Sequence, residues 1–203
     1  ALCMVCSLLG KELTPKYAFV FVDEAQDISK NEYDLLMRIN CKASFDVFGD
    51  LEQNVTAWRG VGDWRAAFPD FEVFTLNQNY RNTNQIVDFV ASALKVDMQS
   101  IGFDGPEVQH IAPRGISAFF RDKKGLKAVI CSEKDKEKYL RKAYSVVSEK
   151  GRVSRTRINL MSVYESKGLE FTSVAVVPAH MTPNEKYIAY TRALKELAIV
   201  EEK

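Results

Sequence analysis

The chain has 203 residues, enough for one large domain or two small ones, and 46% of them are hydrophobic, which suffices for a packed core. The net charge of +1 excludes polyanion binding through bulk charge, so any contact with nucleic acid must come from a local arrangement. No apolar run approaches the ~20 residues that span a bilayer, and the four cysteines are few and scattered, so we expect a cytoplasmic protein with no membrane partner.

Strand-like and helix-like segments alternate along the chain, which predicts a mostly parallel α/β sheet flanked by helices. Residues 97–124 contain scattered Gly and Pro with weak periodicity, which indicates a loop with one or two short strands. The strand candidates are Ala18–Val22, Ser44–Phe48, Glu72–Leu76, Lys127–Cys131, Ile158–Val163, Ser173–Val177 and Leu197–Val200, and the helix candidates are Lys30–Asn40, Thr83–Lys95, Glu133–Lys150 and Asn184–Leu194.

Two adjacent carboxylates, Asp23 and Glu24, follow the apolar run Phe19–Val22. The carboxyl ends of strands in open α/β sheets are where ligands bind. Two carboxylates there can divide the work of nucleotide hydrolysis, one holding Mg²⁺ and the other orienting the attacking water. The alternative is that they cap a helix beginning at Gln26, because acidic residues favour helix N-termini.

Five polar clusters, taken together and in order, resemble the motifs of superfamily 1 helicases of the UvrD/Rep type. Each cluster alone is common, but five in the correct order are specific, and they span nearly the whole chain. They are Val22–Asp27 for motif II, Gly49–Gln53 with Trp58–Gly60 for motif III, Leu76–Thr83 for motif IV, Ser166–Phe171 for motif V and Tyr187–Leu194 for motif VI.

The resemblance implies a RecA-like P-loop NTPase fold, with residues 1–68 forming the C-terminal portion of a first RecA-like domain and residues 69–203 forming the second. A phosphate loop of the form G-x-x-x-x-G-K-[S/T] is missing from the sequence. We therefore expect this chain to be a C-terminal fragment that hydrolyses no ATP by itself.

The same resemblance implies a role for each polar side chain, with ATP and Mg²⁺ as cofactors. Asp23 would hold Mg²⁺, Glu24 would activate the water, and Gln53 would sense the γ-phosphate. Arg81 and Arg192 would be arginine fingers, whose planar fork suits the transferring phosphoryl group. Tyr80 would stack near the adenine, and Glu170 would bind the ribose or orient the γ-phosphate site.

On the nucleic-acid side, the resemblance implies that Trp58 stacks on a base of single-stranded DNA. Arg59 and Lys167 would then meet backbone phosphates. The alternative for Trp58 is a core position, and for each arginine it is a surface ion pair.

Two departures from the UvrD/Rep pattern fall on this nucleic-acid side. Thr56 stands where a second stacking tyrosine is common, and Tyr164-Glu165 stands where a DNA-contacting histidine is common. These departures, with the compact segment between motifs IV and V, resemble the HelD-like branch, some members of which act on RNA polymerase. Three hypotheses stay open: a DNA helicase or translocase moving 3′ to 5′, an ATP-driven remodeller of RNA polymerase, and a non-catalytic binding module.

Overall fold

The computed structural model describes residues 8, 17–55, 60–142, 144–147 and 152–201. The chain divides into two compact units, Ala1–Phe74 and Thr75–Lys203. The division lies in the segment 71–77, a few residues beyond the expected boundary after residue 68. No helix in the described part of the chain is long and apolar enough to cross a membrane.

The first unit contains a parallel two-stranded sheet, in which Phe19 pairs with Ser44 and Val22 with Val47. A helix connects the two strands, as a parallel pair requires. Val22, Tyr33 and Phe68 form the centre of its apolar core. The elements are β1 Phe19–Val22, α1 Lys30–Ile39, β2 Ser44–Val47 and α2 Trp64–Ala67.

The start of α1 is set by a capping box. Ser29 Oγ accepts a hydrogen bond from the backbone N–H of Glu32, and the Glu32 carboxylate accepts one from the Ser29 backbone N–H at 2.8 Å. Two of the backbone donors that a helix N-terminus leaves unpaired are thereby satisfied. The predicted helix Lys30–Asn40 is confirmed to within one residue.

The second unit is built on a six-stranded sheet. The elements of this unit are β3 Gln78–Asn79, α3 Asn84–Leu94, β4 Gln99–Ser100, β5 Gln109–Ile111, α4 Ile116–Phe119, β6 Lys127–Cys131, α5 Lys136–Tyr139, β7 Tyr144–Val146, β8 Ile158–Ser162, α6 Val163–Ser166, β9 Phe171–Val176, α7 Pro183–Thr191 and β10 Ala193–Val200. The strand order in the sheet is β5-β10-β9-β6-β8-β7, and every neighbouring pair is parallel. The predicted mostly parallel α/β fold is confirmed.

The central strands β6, β9 and β10 read as nearly continuous apolar runs, because both faces of a parallel sheet are covered. Val129, Ala175 and Ala198 are completely buried on one of these faces. This packing fixes the ends of the strands, where the polar side chains of the predicted motifs are attached.

Two predicted elements are wrong. Glu72–Leu76 is not a strand, and its apolar side chains point to solvent, with Phe74 78% and Leu76 95% exposed. The predicted helix Glu133–Lys150 ends at Tyr139, after which Leu140 turns extended and Tyr144–Val146 pairs with β8. Whether a segment becomes a strand depends on a partner strand elsewhere in the chain, and the local pattern of apolar residues carries no information about that partner. Residues 97–124 contain the short strands β4 and β5, as predicted, and also the helix α4.

Candidate functional site

The two carboxylates after β1 lie on a strained turn that leads into a single short 3₁₀ helix, which neither of them caps with its side chain. Glu24 adopts the left-handed conformation, with φ 49° and ψ 38°, and its side chain makes no capping hydrogen bond. A short 3₁₀ turn, Ala25–Asp27, follows, and α1 is capped by Ser29 instead. The helix-capping alternative is therefore wrong. A left-handed non-glycine residue costs on the order of 1–3 kcal/mol and is concentrated at functional sites.

Gln26 joins this acidic turn to the loop after β2. Its side chain is fully buried, its Nε2 donates to Glu24 Oε2 at 2.6 Å, and its Oε1 accepts from the backbone N–H of Asp50 at 3.1 Å. The backbone carbonyl of Gln26 accepts from the N–H of Val61 at 3.1 Å. One buried amide thus fixes Glu24 relative to motif III, and sequence reasoning did not select it.

Gly60 is required where the chain returns past this amide. Its φ is +97°, and a Cβ there would lie 2.0 Å from the carbonyl oxygen of Gln26. Only glycine tolerates both the conformation and the close backbone approach. Gly60 of motif III is therefore held against motif II. Thr56, Trp58 and Arg59 lie outside the described residues.

The side chain of Gln53 is placed on the same loop by Asp50. Gln53 Nε2 donates to Asp50 Oδ2 at 2.9 Å, while Asp50 Oδ1 accepts from the N–H of Glu52 at 3.0 Å. Through Gln26, the structure brings Asp23, Glu24 and Gln53 into one hydrogen-bonded cluster at the carboxyl ends of β1 and β2.

The donor set of this cluster fits Mg²⁺, a hard cation that takes oxygen ligands and commonly binds one or two protein carboxylates with water and phosphate oxygens. Asp23 Oδ1 accepts the N–H of Glu24 at 2.8 Å, which orients the carboxylate and leaves Oδ2 for a cation. Among the residues that the structure describes, no three His, Cys, Asp or Glu side chains form a group able to hold a metal by themselves.

In the second unit, Arg81 and Glu170 form an ion pair, with Arg81 Nη1 3.0 Å from Glu170 Oε1. Their side chains are 52% and 39% exposed, so the pair contributes only about 0–1 kcal/mol. This ion pair joins motif IV to motif V, which lie some ninety residues apart in sequence. Solvent screens the attraction between the two charges. Tyr80, beside Arg81, is 72% exposed.

Arg192 occupies a different environment. It is 4% exposed, its Nε donates to the Ile188 carbonyl at 3.1 Å, and its Nη1 donates to the Leu169 carbonyl at 3.3 Å. A guanidinium at the end of α7 satisfies carbonyl groups that the helix C-terminus leaves unpaired. Arg192 and Glu170 immediately precede the adjacent strands β10 and β9, and the N–H of Phe171 donates to the Arg192 carbonyl at 2.9 Å.

Asn82 connects motif IV to motif VI through hydrogen bonds. It is 1% exposed, and its Nδ2 donates to the carbonyls of Thr191 at 3.0 Å and Ala193 at 2.7 Å, on either side of Arg192. Its Oδ1 accepts from Asn79 Nδ2 at 2.7 Å. Sequence reasoning included Asn82 in motif IV without giving it a functional role, and nothing in its local pattern indicates a contact across more than one hundred residues.

The loop that carries Lys167 is anchored by an ion pair. Lys136 Nζ lies 2.5 Å from Glu165 Oε2, and the two side chains are 15% and 9% exposed. Burial of the Glu165 carboxyl opposes ionisation, but hydrogen bonds from Lys136 and Ser162 hold its pKa below the usual range. Lys167 follows α6 directly, while Tyr164 is 54% exposed.

The chain has an α/β fold built on parallel sheets, with a cluster of candidate site residues in each of its two units. A family of viral superfamily 1 RNA helicase core domains matches residues 2–201, so the chain belongs to that family. The predicted resemblance to superfamily 1 helicases is thereby confirmed.

Individual relatives agree with this assignment. The ATP-dependent DNA helicase Rep of Escherichia coli (strain K12) is 33% identical over 78 residues, which are 36% of this chain and 12% of that protein. The solved PRRSV helicase has a TM-score of 0.58 at 17% identity, covering 96% of this chain and 36% of that chain. An Arterivirus helicase, nonstructural protein 10, in complex with DNA has a TM-score of 0.55 at 20% identity, covering 94% and 41%. The chain thus matches only part of the length of each.

Proposed function

We propose that the protein to which this chain belongs is an ATP-dependent helicase or translocase that moves 3′ to 5′ on single-stranded DNA in the cytoplasm. The observation that supports this best is the convergence of Arg81, Glu170 and the Arg192 backbone on the amino ends of β9 and β10. Residues from three distant motifs meet there. The similarity to Rep, which is named as an ATP-dependent DNA helicase, supports the choice of DNA.

In this proposal the first unit supplies the groups that act on the metal and on the attacking water. Asp23 binds the metal, Glu24 accepts the proton of the attacking water, and Gln53 donates from its amide to the γ-phosphate. When bound, Mg²⁺ neutralises charge on the phosphate oxygens. Gln26 keeps Glu24 in register with the loop that bears Gln53.

The second unit supplies the positive charges. Arg81 exchanges its weak ion pair with Glu170 for phosphate oxygens, which releases the carboxylate to accept hydrogen bonds from the ribose. Arg192 is the second arginine finger, and Tyr80 presents an exposed ring to the adenine. Trp58 stacks on a DNA base, while Arg59 and Lys167 contact its phosphates.

The proposal is tested by measuring ATP turnover of the intact gene product with and without single-stranded DNA. We expect stimulation by DNA and a loss of about 10³-fold or more in the Arg192→Ala variant, which is the range for arginine fingers. Arg114→Ala, an exposed arginine after β5, is the matched control. Wild-type turnover in Arg192→Ala would refute the finger assignment.

For the 203-residue chain alone we propose negligible ATPase activity, since it contains no phosphate loop. Robust turnover of this chain, abolished by Glu24→Gln, would contradict that.

A second candidate is an ATP-driven remodeller of RNA polymerase. The observation in its favour is that the Glu165 carboxylate, where DNA-contacting residues are expected, is engaged by Lys136 at 2.5 Å. Co-purification of RNA polymerase with the intact gene product, combined with ATP turnover indifferent to DNA, would favour this candidate over the first.

A further inference from the structure

A group of basic side chains lies at the amino edge of strands β7 and β8. Tyr144 pairs with Ile158 in parallel, so the residues that precede these two positions are neighbours. Arg141 and Lys142 precede β7, whereas Arg155 and Arg157 precede β8. The Arg157 guanidinium donates to the Lys142 carbonyl, which joins the two segments. We call Arg141, Lys142, Arg155 and Arg157 the basic edge.

The turn that presents Arg155 is held by a buried amide. Asn159, which is completely buried, accepts from the N–H of Ser154 at 2.7 Å through Oδ1, and its Nδ2 donates to the carbonyls of Ser154 and Lys127, both at 3.0 Å. Ser154 Oγ in turn accepts from the N–H of Arg157 at 3.1 Å. The backbone of the turn is thus fixed to β6 and β8, so its charges are presented by a preorganised loop.

The described residues around the basic edge are mostly basic. Over residues 138–157 the described positions carry six basic side chains and no carboxylate, in a chain whose net charge is +1. Within the described ranges, Lys142 and Arg155 have no ion-pair partner, and the Nη1 of Arg141 donates to the carbonyls of Leu140 at 2.8 Å and Lys138 at 3.2 Å. The two exposed cations Lys142 and Arg155 favour a partner with several negative charges over a single carboxylate.

The side chains of the basic edge are suited to binding a phosphate backbone rather than exposed bases. Its two aromatic residues, Tyr139 and Tyr144, are 3% and 7% exposed, so neither offers a ring on which a base can stack. Guanidinium groups recognise phosphate through paired N–H donors. Adjacent strands lie ~4.8 Å apart, so basic residues on two neighbouring strands can follow successive phosphates.

We propose that the basic edge binds the phosphate backbone of a nucleic-acid duplex, at the amino end of β8 and therefore at a site separate from Lys167, which lies beyond the carboxyl end of that strand. In the sheet order, β8 is separated from β9, which follows Glu170, by β6. The basic edge therefore lies at the same end of the strands as Glu170, displaced by two strand spacings, or about 10 Å. Its biological meaning rests on the proposed helicase function, since a helicase meets duplex next to the strand it tracks.

The test is duplex binding by the intact gene product, measured by fluorescence anisotropy with a labelled blunt duplex at several salt concentrations. We expect the Lys142→Gln/Arg155→Gln variant to bind at least about tenfold more weakly at 0.1 M salt. The slope of log affinity against log salt should fall by about 1.8, since each duplex phosphate contact contributes about 0.9. The control variant Lys95→Gln/Arg114→Gln removes the same charge from exposed positions outside the basic edge.

Equal affinity and slope in the two variants would overturn the proposal, as would a loss of affinity for a single strand of the same length without loss for the duplex. Stimulation of ATP turnover by single-stranded DNA, measured on the same preparations, separates the two proposals. If turnover ignores DNA while duplex binding falls only in Lys142→Gln/Arg155→Gln, the proposed function fails and the basic edge stands. If turnover is stimulated normally but duplex binding is unchanged, only the basic edge fails.

Discussion

The buried amide of Gln26 offers the sharpest test of how the acidic turn is assembled. Gln26→Leu keeps a side chain of similar size but removes both side-chain hydrogen bonds, to Glu24 at 2.6 Å and from Asp50 at 3.1 Å. A hydrogen bond to a charged group contributes about 1.5–3 kcal/mol and a neutral one about 0.5–1.5 kcal/mol. We therefore expect the free energy of unfolding of the first unit to fall by about 2–4 kcal/mol.

The tryptophans allow this loss to be measured for the first unit alone. The chain has two, Trp58 and Trp64, and both belong to that unit. Urea unfolding of the 203-residue chain followed by tryptophan fluorescence should show a lower midpoint for Gln26→Leu. With a slope of about 1–3 kcal/mol/M, the expected shift of the midpoint is about 0.7–4 M.

Asn31→Leu is the matched control, because Asn31 is an exposed amide on α1 whose loss breaks no buried hydrogen bond. Its midpoint should stay within experimental error of the wild type. If Gln26→Leu and Asn31→Leu unfold at the same urea concentration, the claim that Gln26 organises the turn is refuted. Gln26→Glu adds a second test: it places two carboxylates together, so its instability should be largest at neutral pH and diminish as the pH falls.

Three further outcomes follow from the geometry. Gly60→Ala should destabilise the first unit by more than about 2 kcal/mol because its Cβ would meet the Gln26 carbonyl, whereas Gly62→Ala, where a Cβ meets nothing within 4 Å, should not. Asn82→Ala should lower the melting temperature of the second unit, seen by circular dichroism, since it removes two hydrogen bonds to buried carbonyls. Because the pKa of Glu165 is lowered by folding, its contribution to stability is present at pH values above 4.5 and is lost as pH falls below; Glu165→Gln should therefore show a smaller loss of stability on acidification.

The elements that sequence predicted well are those whose own residues determine them. The apolar run of β6 was predicted at its observed bounds, because a strand covered on both faces has an unbroken apolar sequence. The helix α1 agrees with its predicted bounds to within one residue, because Ser29 and Glu32 form its cap locally. Elements that depend on a distant partner were predicted poorly. The strand β7 exists because it pairs with β8, whereas Glu72–Leu76 was predicted as a strand but pairs with no other strand among the described residues.

The residues of the candidate site likewise include some that the sequence indicated and others that only the structure revealed. The order of the motifs was enough to identify Arg81 and Glu170, which the structure brings to 3.0 Å. The roles of Gln26 and Asn82 were missed, because a buried amide is recognised by its partners and those lie far along the chain. Arg192 was selected, yet its burial among backbone carbonyls has no signature in the local sequence.

The two proposed arginine fingers lie in different environments, and this difference implies an order in which they bind phosphate. Arg81 leaves an exposed pair at almost no cost, whereas Arg192 must give up hydrogen bonds to Ile188 and Leu169, each contributing about 1.5–3 kcal/mol because the donor is charged. A cost of about 3–6 kcal/mol leaves fewer than about 1% of molecules with Arg192 released before a nucleotide binds. In the proposed function, Arg81 therefore captures phosphate first, and ATP and DNA together enlarge the rare population in which Arg192 is released.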